Sequence, residues 1–334
     1  MPRKKAKSAA RPPAPAPASA FERAWGELRD RPAQPSTVSG VWLLTAASIA
    51  IVAAAVCAWG ALCLLFWQGS WQLLYHPKAA VARTPATVGL VFDPVGFATT
   101  EAGEPRLKGW WVPAAPGARF SKYTVLCLHG QDGNLGDTVD DVAALHDVGV
   151  NVLAFDYRGY GESQFARPSE AHWREDAEWA LQYLTGTRHV EAGTIILEGR
   201  SLGANLALEI AAAHSELAGV ILHSPLDAPV NAIFSDARAR LVPAHLLVRD
   251  RFDAYGAAAA LKSPSLWFEW TGPPGVLGLA EKPPAFQKSA SANTLVWLTS
   301  SRDSRKQTTD AIARWLDDLP NRPSGCTFSD GLTC

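Results

Sequence analysis

Hydrophobic and polar residues follow two different patterns along the chain. From Val41 to Trp67 no residue is charged. Beyond this segment, short apolar runs rich in Val, Ile and Leu alternate with stretches whose apolar residues recur at helical spacing. The short runs predict strands. We place six strands at Tyr123–Leu128, Asn151–Phe155, Thr194–Leu197, Gly219–Leu222, Ser265–Phe268 and Thr294–Leu298.

The amphipathic stretches between and after the strands predict helices. They cover Thr138–Asp147, Arg174–Leu184, Leu202–His214 and Arg305–Leu319, the last of which is stopped by Pro320. Continuous apolar strands joined by crossover helices are typical of a mostly parallel sheet that is covered by helices on both faces. The sequence therefore predicts the α/β fold class.

The uncharged segment predicts a transmembrane helix over residues 40–68, in contact with the lipid bilayer through residues 41–67. Twenty-seven residues form a helix about 40 Å long, enough to cross a hydrocarbon core of about 30 Å with some tilt. Trp42 and Trp67 lie where interfacial tryptophans anchor a span. A buried core helix and a cleaved signal peptide are the alternatives. The run is longer than a signal-peptide core, and no convincing A-x-A cleavage site follows it.

Charge asymmetry predicts the orientation of this helix. Eight Lys or Arg residues precede the span, whereas the twenty residues after it contain only Lys78 and Arg83. The positive-inside rule then places residues 1–39, a disordered basic Ala/Pro tail, in the cytoplasm. The rest of the chain would lie on the extracytoplasmic side, of the inner membrane if the source is bacterial. Cys326 and Cys334, in the C-terminal tail 321–334, either form a disulfide there or remain free thiols.

Composition excludes several classes of function. The chain has 31 Lys and Arg against 32 Asp and Glu, so it lacks the basic excess of a general nucleic-acid binder. Five Cys without a C-x-x-C pair do not indicate a zinc ribbon or a disulfide scaffold. We expect no nucleic acid, metal ion or cofactor among its ligands.

The first candidate catalytic motif is Gly199-Arg200-Ser201-Leu202-Gly203, which joins a predicted strand to a predicted helix. A G-x-S-x-G turn in this setting strains the backbone of the serine and exposes its hydroxyl at the end of the sheet. Ser201 is the candidate nucleophile, and an ordinary tight turn is the alternative. Upstream, the loop from His129 to Asn134 follows another strand and is rich in glycine. Backbone N–H groups of Gln131 and Leu202 are the candidates for an oxyanion hole.

A third motif, Asp156-Tyr157-Arg158-Gly159-Tyr160-Gly161-Glu162-Ser163, also follows a strand. The motifs H-G-x-x-G-N, D-Y-R-G-Y-G-E-S and G-R-S-L-G, in this order, resemble the alpha/beta-hydrolase superfamily. The N-terminal span, with the segments 74–77 and 107–113, resembles its membrane-anchored serine hydrolases, which include thioesterases acting on acyl proteins or lipids. The resemblance covers residues 72–320. It implies Ser201 as the nucleophile, followed along the chain by an acid and a histidine.

The chain departs from this pattern after the nucleophile. No Asp lies between Asp253 and Asp303, so Glu269 and Glu281 are the only acidic residues near the usual position. The last histidine of the chain is His245, which leaves no histidine after the final strand. One substitute arrangement is His223 as base with Asp227 as acid. The alternative is that His223 packs below the lid.

Two functions follow from these residues. The first is a membrane-anchored ester or thioester hydrolase that uses Ser201 on an acyl ester, lipid or acyl-protein substrate. The second is a degenerate hydrolase that works as a binding or scaffolding module, because a serine without a base is a poor nucleophile. The predicted lid, residues 226–262, is short and would leave an open cleft for an acyl chain or a protein tail.

Overall fold

The computed structural model describes residues 19–29, 38–270, 282–289, 291–298 and 304–319. Contacts divide the chain into a unit of residues 1–58 and a larger unit of residues 59–334. The C-terminal tail with Cys326 and Cys334, together with Glu281 and the loop at 299–303, lies outside the described residues.

The first unit contains a short helix where the sequence predicts a disordered tail. Helix α1 spans Ala20–Arg29. Ser19 and Glu22 form a reciprocal capping box, in which the Ser19 hydroxyl accepts from Glu22 N at 3.1 Å and the Glu22 carboxylate accepts from Ser19 N at 2.9 Å. The rings of Phe21 and Trp25, one turn apart, lie 6.0 Å from each other. The capping box and this aromatic pair stabilise a helix in a segment whose Ala/Pro-rich composition predicts disorder.

Helix α2 spans Gly40–Gly69 and is long and apolar enough to cross a membrane. Its last turns belong to the larger unit. Trp59 Nε1 donates to the carbonyl oxygen of Leu241 at 3.0 Å, Phe66 is buried in the core, and Arg167 donates to the carbonyl oxygen of Trp67 at 2.8 Å. The last ten residues of the helix therefore follow Trp59 as part of the larger unit.

An eight-stranded sheet forms the centre of the larger unit. Its spatial order is β10-β9-β8-β7-β4-β6-β3-β2, parallel apart from the antiparallel pairs made by β3 with β2 and β6. The strands, with the small parallel pair β1 and β5, are β1 His76–Pro77, β2 Asp93–Thr99, β3 Pro105–Val112, β4 Thr124–Leu128, β5 Asp132–Gly133, β6 Asn151–Asp156, β7 Ile195–Arg200, β8 Gly219–His223, β9 Ser265–Trp270 and β10 Asn293–Leu298.

Helices cover both faces of this sheet. Helices α3 and α10 pack on one face, and α4, α5 and α8 pack on the other, each with its own cluster of buried side chains. The remaining helices are short and lie in the lid or before β10. The helices are α3 Val139–Val148, α4 Glu170–Gln182, α5 Leu202–Ala213, α6 Asn231–Phe234, α7 Ala244–Leu247, α8 Ala254–Ala260, α9 Pro284–Lys288 and α10 Ser304–Asp318.

The predicted α/β architecture is confirmed, and all six predicted strands are present. The antiparallel strands β2 and β3 are not predicted from the sequence. Both lie at one side of the sheet and contain glycine and exposed polar residues, so they lack the continuous apolar run of a central strand. The predicted lid contains the three short helices α6, α7 and α8.

Candidate active site

The turn between β7 and α5 holds Ser201 in a strained backbone conformation. Its φ of +51° and ψ of −120° are values that non-glycine residues rarely adopt. The neighbouring glycines are required by close packing. A Cβ atom on Gly199 would lie 2.3 Å from the carbonyl oxygen of Gly203, and one on Gly203 would lie 2.2 Å from that of Leu128. Strand, turn and helix follow one another as the G-x-S-x-G spacing predicts.

The Ser201 backbone is fixed to the next strand, whereas its hydroxyl is not engaged. Ser201 N donates to the carbonyl oxygen of His223 at 2.9 Å. Over the residues that the structure describes, the partly buried hydroxyl has no hydrogen-bond partner. The loop that begins at His129 lies against it, because a Cβ atom on Gly130 would be 3.6 Å from Ser201 Cβ. The serine is therefore positioned by its backbone, with its oxygen available for other contacts.

Gln131 and Leu202, the two predicted oxyanion donors, are brought together in an unexpected way. Leu202 N donates to the side-chain oxygen of Gln131 at 3.3 Å. The Gln131 carbonyl oxygen accepts from His76 N and from the Tyr160 hydroxyl, each at 2.9 Å, and this anchors the loop. The Gln131 side chain thus occupies the backbone N–H of Leu202, which is one of the two predicted oxyanion donors.

His129 supports the same loop from inside. Its ring is buried, with Nδ1 2.8 Å from the Gly130 carbonyl oxygen and Nε2 3.4 Å from Asp156 Oδ1. Asp156 also accepts from Leu135 N at 2.7 Å, which links the D-Y-R-G-Y-G-E-S motif to the start of the next helix. These contacts agree with a structural role for His129.

The His223 ring turns toward Glu198 and makes no hydrogen bond to Ser201 in the described part of the chain. Its Nε2 lies 3.2 Å from Glu198 Oε1, and the ring stacks on Phe268 with centroids 4.7 Å apart. Side chains alternate between the faces of a strand, and Ile221, two residues earlier, packs in the cluster with α3 and α10. The ring therefore faces the α3 and α10 side of the sheet.

Burial controls protonation in this cluster. Burial raises the pKa of Glu198 to about 7, and the nearby Arg200 cation opposes that rise. Burial, assisted by Arg200, lowers the pKa of His223 well below its usual value. Arg200 is itself paired with Asp141 at 2.7 Å. The imidazole is thus neutral at neutral pH and adjoins the Glu198 carboxyl, which leaves it poorly placed to act on Ser201.

In the described part of the chain Asp227 makes no ion pair or hydrogen bond with His223, and its charge acts on Glu269. The Asp227 side chain is exposed, and partial burial raises its pKa. Burial raises the pKa of Glu269 to about 7; the Asp227 charge adds to this rise, and a hydrogen bond with the Ser224 hydroxyl opposes it. The sequence gives Glu269 as a candidate acid without a register, and no sequence motif singles out Ser224.

The alignment of Ser201, Ser224 and Glu269 depends on strand register, which the sequence alone does not provide. Arg200 pairs with His223, and His223 pairs with Phe268. The next residue on each strand completes a row of Ser201, Ser224 and Glu269. The described residues contain no group of three or more His, Cys, Asp or Glu side chains arranged to hold a metal ion.

The sheet order, with a strained serine between the central strand β7 and helix α5, defines the alpha/beta-hydrolase fold. Solved structures agree. The Pyrococcus furiosus esterase Pf2001 superposes with a TM-score of 0.54 at 18% identity, over 75% of this chain and 99% of the esterase. A Vibrio vulnificus alpha-beta hydrolase gives 0.52 at 20% identity, over 70% of this chain and 82% of that one. At these identities the likeness concerns the fold alone.

Sequence similarity identifies the family. Residues 120–256 match the profile of serine aminopeptidase, S33. An uncharacterized protein of Mycobacterium tuberculosis is 31% identical over 205 residues, which are 61% of this chain and 69% of that protein. The alpha/beta hydrolase domain-containing protein 17C of Homo sapiens is 35% identical over 143 residues, 42% of each chain. This chain belongs to the alpha/beta-hydrolase family.

Proposed function

We propose that this protein hydrolyses esters or thioesters with Ser201 as the nucleophile. The observation that carries the proposal is the backbone of Ser201, whose φ of +51° stands at the junction of β7 and α5. Such strain costs about 1–3 kcal/mol and persists where the fold has a use for it. A serine at this position is the feature of the fold that carries out acyl transfer.

Leu202 N and Gln131 N are the proposed donors to the oxyanion that forms when Ser201 attacks a carbonyl carbon. Two backbone donors on rigid elements stabilise this charge without moving during the reaction, and removing one such donor typically costs a rate factor of about 100–1,000. The Gln131 side chain must first release Leu202 N. The backbone of Gln131 stays anchored by His76 and Tyr160 while the side chain moves.

His223 as base, with Asp227 as acid, remains a prediction. It requires the His223 ring to leave Glu198 and cross to the other side of the strand end. Moving this buried, stacked ring would leave the Glu198 carboxyl with Arg200 but without its His223 partner, and the free-energy cost opposes the role. His223→Gln separates the two cases, because a base is lost in that variant whereas a structural partner of Glu198 is partly retained.

Helix α2 supports a membrane-anchored form of this enzyme. Its first part, up to about Trp59, makes the span in this proposal, and the residues after it join the hydrolase unit. By the positive-inside rule, the basic residues before the span favour a cytoplasmic N-terminus with the hydrolase unit on the other side. A hydrolase held at a bilayer encounters acyl chains there, so acyl lipids and acylated proteins are the proposed substrates.

A degenerate hydrolase that binds without turnover is the second candidate. Two observations favour it: the sequence has no histidine after His245, and the Gln131 side chain occupies Leu202 N. A retained pocket would then bind an acyl chain or a protein tail without cleaving it.

Turnover of a short-chain aryl ester and of an acyl thioester by the detergent-solubilised full chain separates the two candidates. The hydrolase proposal expects turnover in the wild type and its loss in Ser201→Ala. A Ser201→Ala variant that folds and retains the wild-type rate would assign the activity to a contaminant or to another site. No turnover of either substrate from pH 5 to 9 would favour the binding module.

A further inference from the structure

Two strained serines lie at the ends of neighbouring strands. Ser224 follows β8 with a φ of +46°, and Ser201 follows β7 with a φ of +51°. The parallel hydrogen-bond ladder continues through both, since Ser201 N donates to the His223 carbonyl oxygen and Ser224 N to that of Phe268, each at 2.9 Å. A left-handed serine is costly, and two in adjacent strands indicate a shared purpose at this edge of the sheet.

Glu269 completes the row on the next strand. It stands one residue after Phe268, which pairs with His223, and it pairs on its other side with Trp297 of β10. Neighbouring strands lie about 4.8 Å apart, so Ser201 and Glu269 are separated by roughly 10 Å of sheet, too far for direct proton transfer. Ser224 occupies the strand between them.

We propose that Glu269 is the proton acceptor for Ser201 and that the Ser224 hydroxyl carries the proton between them. Strand register places Ser224 next to Glu269, and the Ser224 side chain opposes the rise in the Glu269 pKa; this pair forms the second half of the relay. The relay rests on the proposed use of Ser201 as the nucleophile. It explains how a chain without a histidine after β10 retains a base. The fold usually fills the space between nucleophile and acid with that histidine.

Each step of the relay balances. Ser201 Oγ bonds to the carbonyl carbon as its proton passes to the Ser224 oxygen, and the Ser224 proton passes to the Glu269 carboxylate. When the tetrahedral intermediate collapses, the bond to the alcohol or thiol breaks. The proton then returns from Glu269 through Ser224 to that leaving group. In deacylation the oxygen of a water molecule bonds to the acyl carbon as its proton passes through Ser224 to Glu269. The bond from this carbon to Ser201 Oγ then breaks, the proton returns through Ser224 to Ser201, and the carboxylic acid is released.

The electrostatics of Glu269 suit this exchange. Burial raises its pKa to about 7, so both protonation states are populated at neutral pH, which is the condition that favours a general base. Asp227 strengthens the rise through its negative charge. Other charged or titratable groups near this edge line a cavity of about 220 Å³ together with Ser224 and Trp270; they are Asp140, Asp141, Arg200, the neutral His223 and Arg305. Asp140 pairs with Arg83 and Asp141 with Arg200.

The rate of fluorophosphonate labelling of the full chain in detergent, measured from pH 5 to 9, tests the relay. In the wild type the rate rises as pH increases, because the carboxylate form of Glu269 is the acceptor, and it levels off above about 7. Glu269→Gln is expected to lose this rise and at least a factor of about 100 in rate, since general bases contribute about 10²–10⁴. Ser224→Ala is expected to lose at least about tenfold, and Glu269→Asp to recover part of the rate.

Asp227→Asn gives a readout that a structural role would not produce. Removing its negative charge lowers the pKa of Glu269, so the rising limb is expected to move to lower pH while the plateau remains. Glu178→Gln is the matched control, because Glu178 lies on α4 and contacts His214. Thermal melting checks that each variant is folded.

The outcomes separate this inference from the function on which it rests. Ser201-dependent labelling that survives Glu269→Gln and Ser224→Ala unchanged would overturn the relay and leave the hydrolase intact. Loss of labelling in His223→Gln with retention in Glu269→Gln would assign the base to His223. Absence of labelling in the folded wild type across the pH range would overturn both proposals.

Discussion

The hydrogen bond from Leu202 N to the Gln131 side chain gives a prediction about a single substitution. If Leu202 N must receive the oxyanion, this bond opposes the reaction until it breaks. Its length of 3.3 Å lies at the long end for N–H···O bonds. A neutral bond of this kind contributes about 0.5–1 kcal/mol, at the low end of the usual net range. Gln131→Ala should therefore raise the fluorophosphonate labelling rate by about 2- to 5-fold.

The isosteric variant Gln131→Glu makes the opposite change. A carboxylate holds Leu202 N with a charge-assisted bond about twice as strong, and its charge repels the developing oxyanion, so labelling should slow by about tenfold or more. The partly buried side chain makes both variants compatible with folding, because the Gln131 carbonyl oxygen keeps its bonds to His76 and Tyr160. Gln131→Ala that labels no faster than the wild type, in protein with an unchanged melting temperature, would refute the reasoning.

Three further predictions concern the scaffold. Gly203→Ala should destabilise the fold by at least about 2 kcal/mol, because the added Cβ would meet the Leu128 carbonyl oxygen at 2.2 Å; an unchanged urea midpoint would contradict that close packing. Asp176→Ala should cost about 3 kcal/mol, because it removes the carboxylate 2.6 Å from Nε of the buried Arg158 and leaves the half-exposed Glu175 as the acidic partner. Thermal melting measures the loss, and a shift below about 2 °C would count against it. Ala54→Arg should reduce the carbonate-resistant membrane fraction relative to Ala54→Leu, because an arginine at the centre of a span costs about 2.5–3.5 kcal/mol; equal fractions would speak against the span.

The strands of the central sheet were predictable because burial on both faces leaves a continuous apolar run, as in β4 and β8. The strained turn at Ser201 was predictable because the glycines of a G-x-S-x-G spacing are required where a strand packs closely against the helix that follows it. Helix α1 was not predicted, because its capping box and aromatic pair lie within a basic, Ala/Pro-rich segment whose composition is typical of a disordered tail.

The surroundings of Ser201 were less accessible to sequence reasoning. The direction of the His223 ring depends on which face of β8 it occupies, and its attraction to Glu198 depends on the pairing of β7 with β8. Ser224 and Glu269 join the row only once the register of three strands is known. The hydrogen bond from Leu202 N to the Gln131 side chain joins residues 71 positions apart, and no local sequence pattern predicts it.

The central claim is that Ser201 is an activated nucleophile. Its most direct test is the mass of the tryptic peptide that contains Ser201 after the folded full chain is treated with a fluorophosphonate. The account predicts a covalent phosphonyl adduct on Ser201 that does not form in heat-denatured protein or in Ser201→Ala. An unmodified Ser201 peptide from folded protein, or an adduct on a different serine, would contradict it.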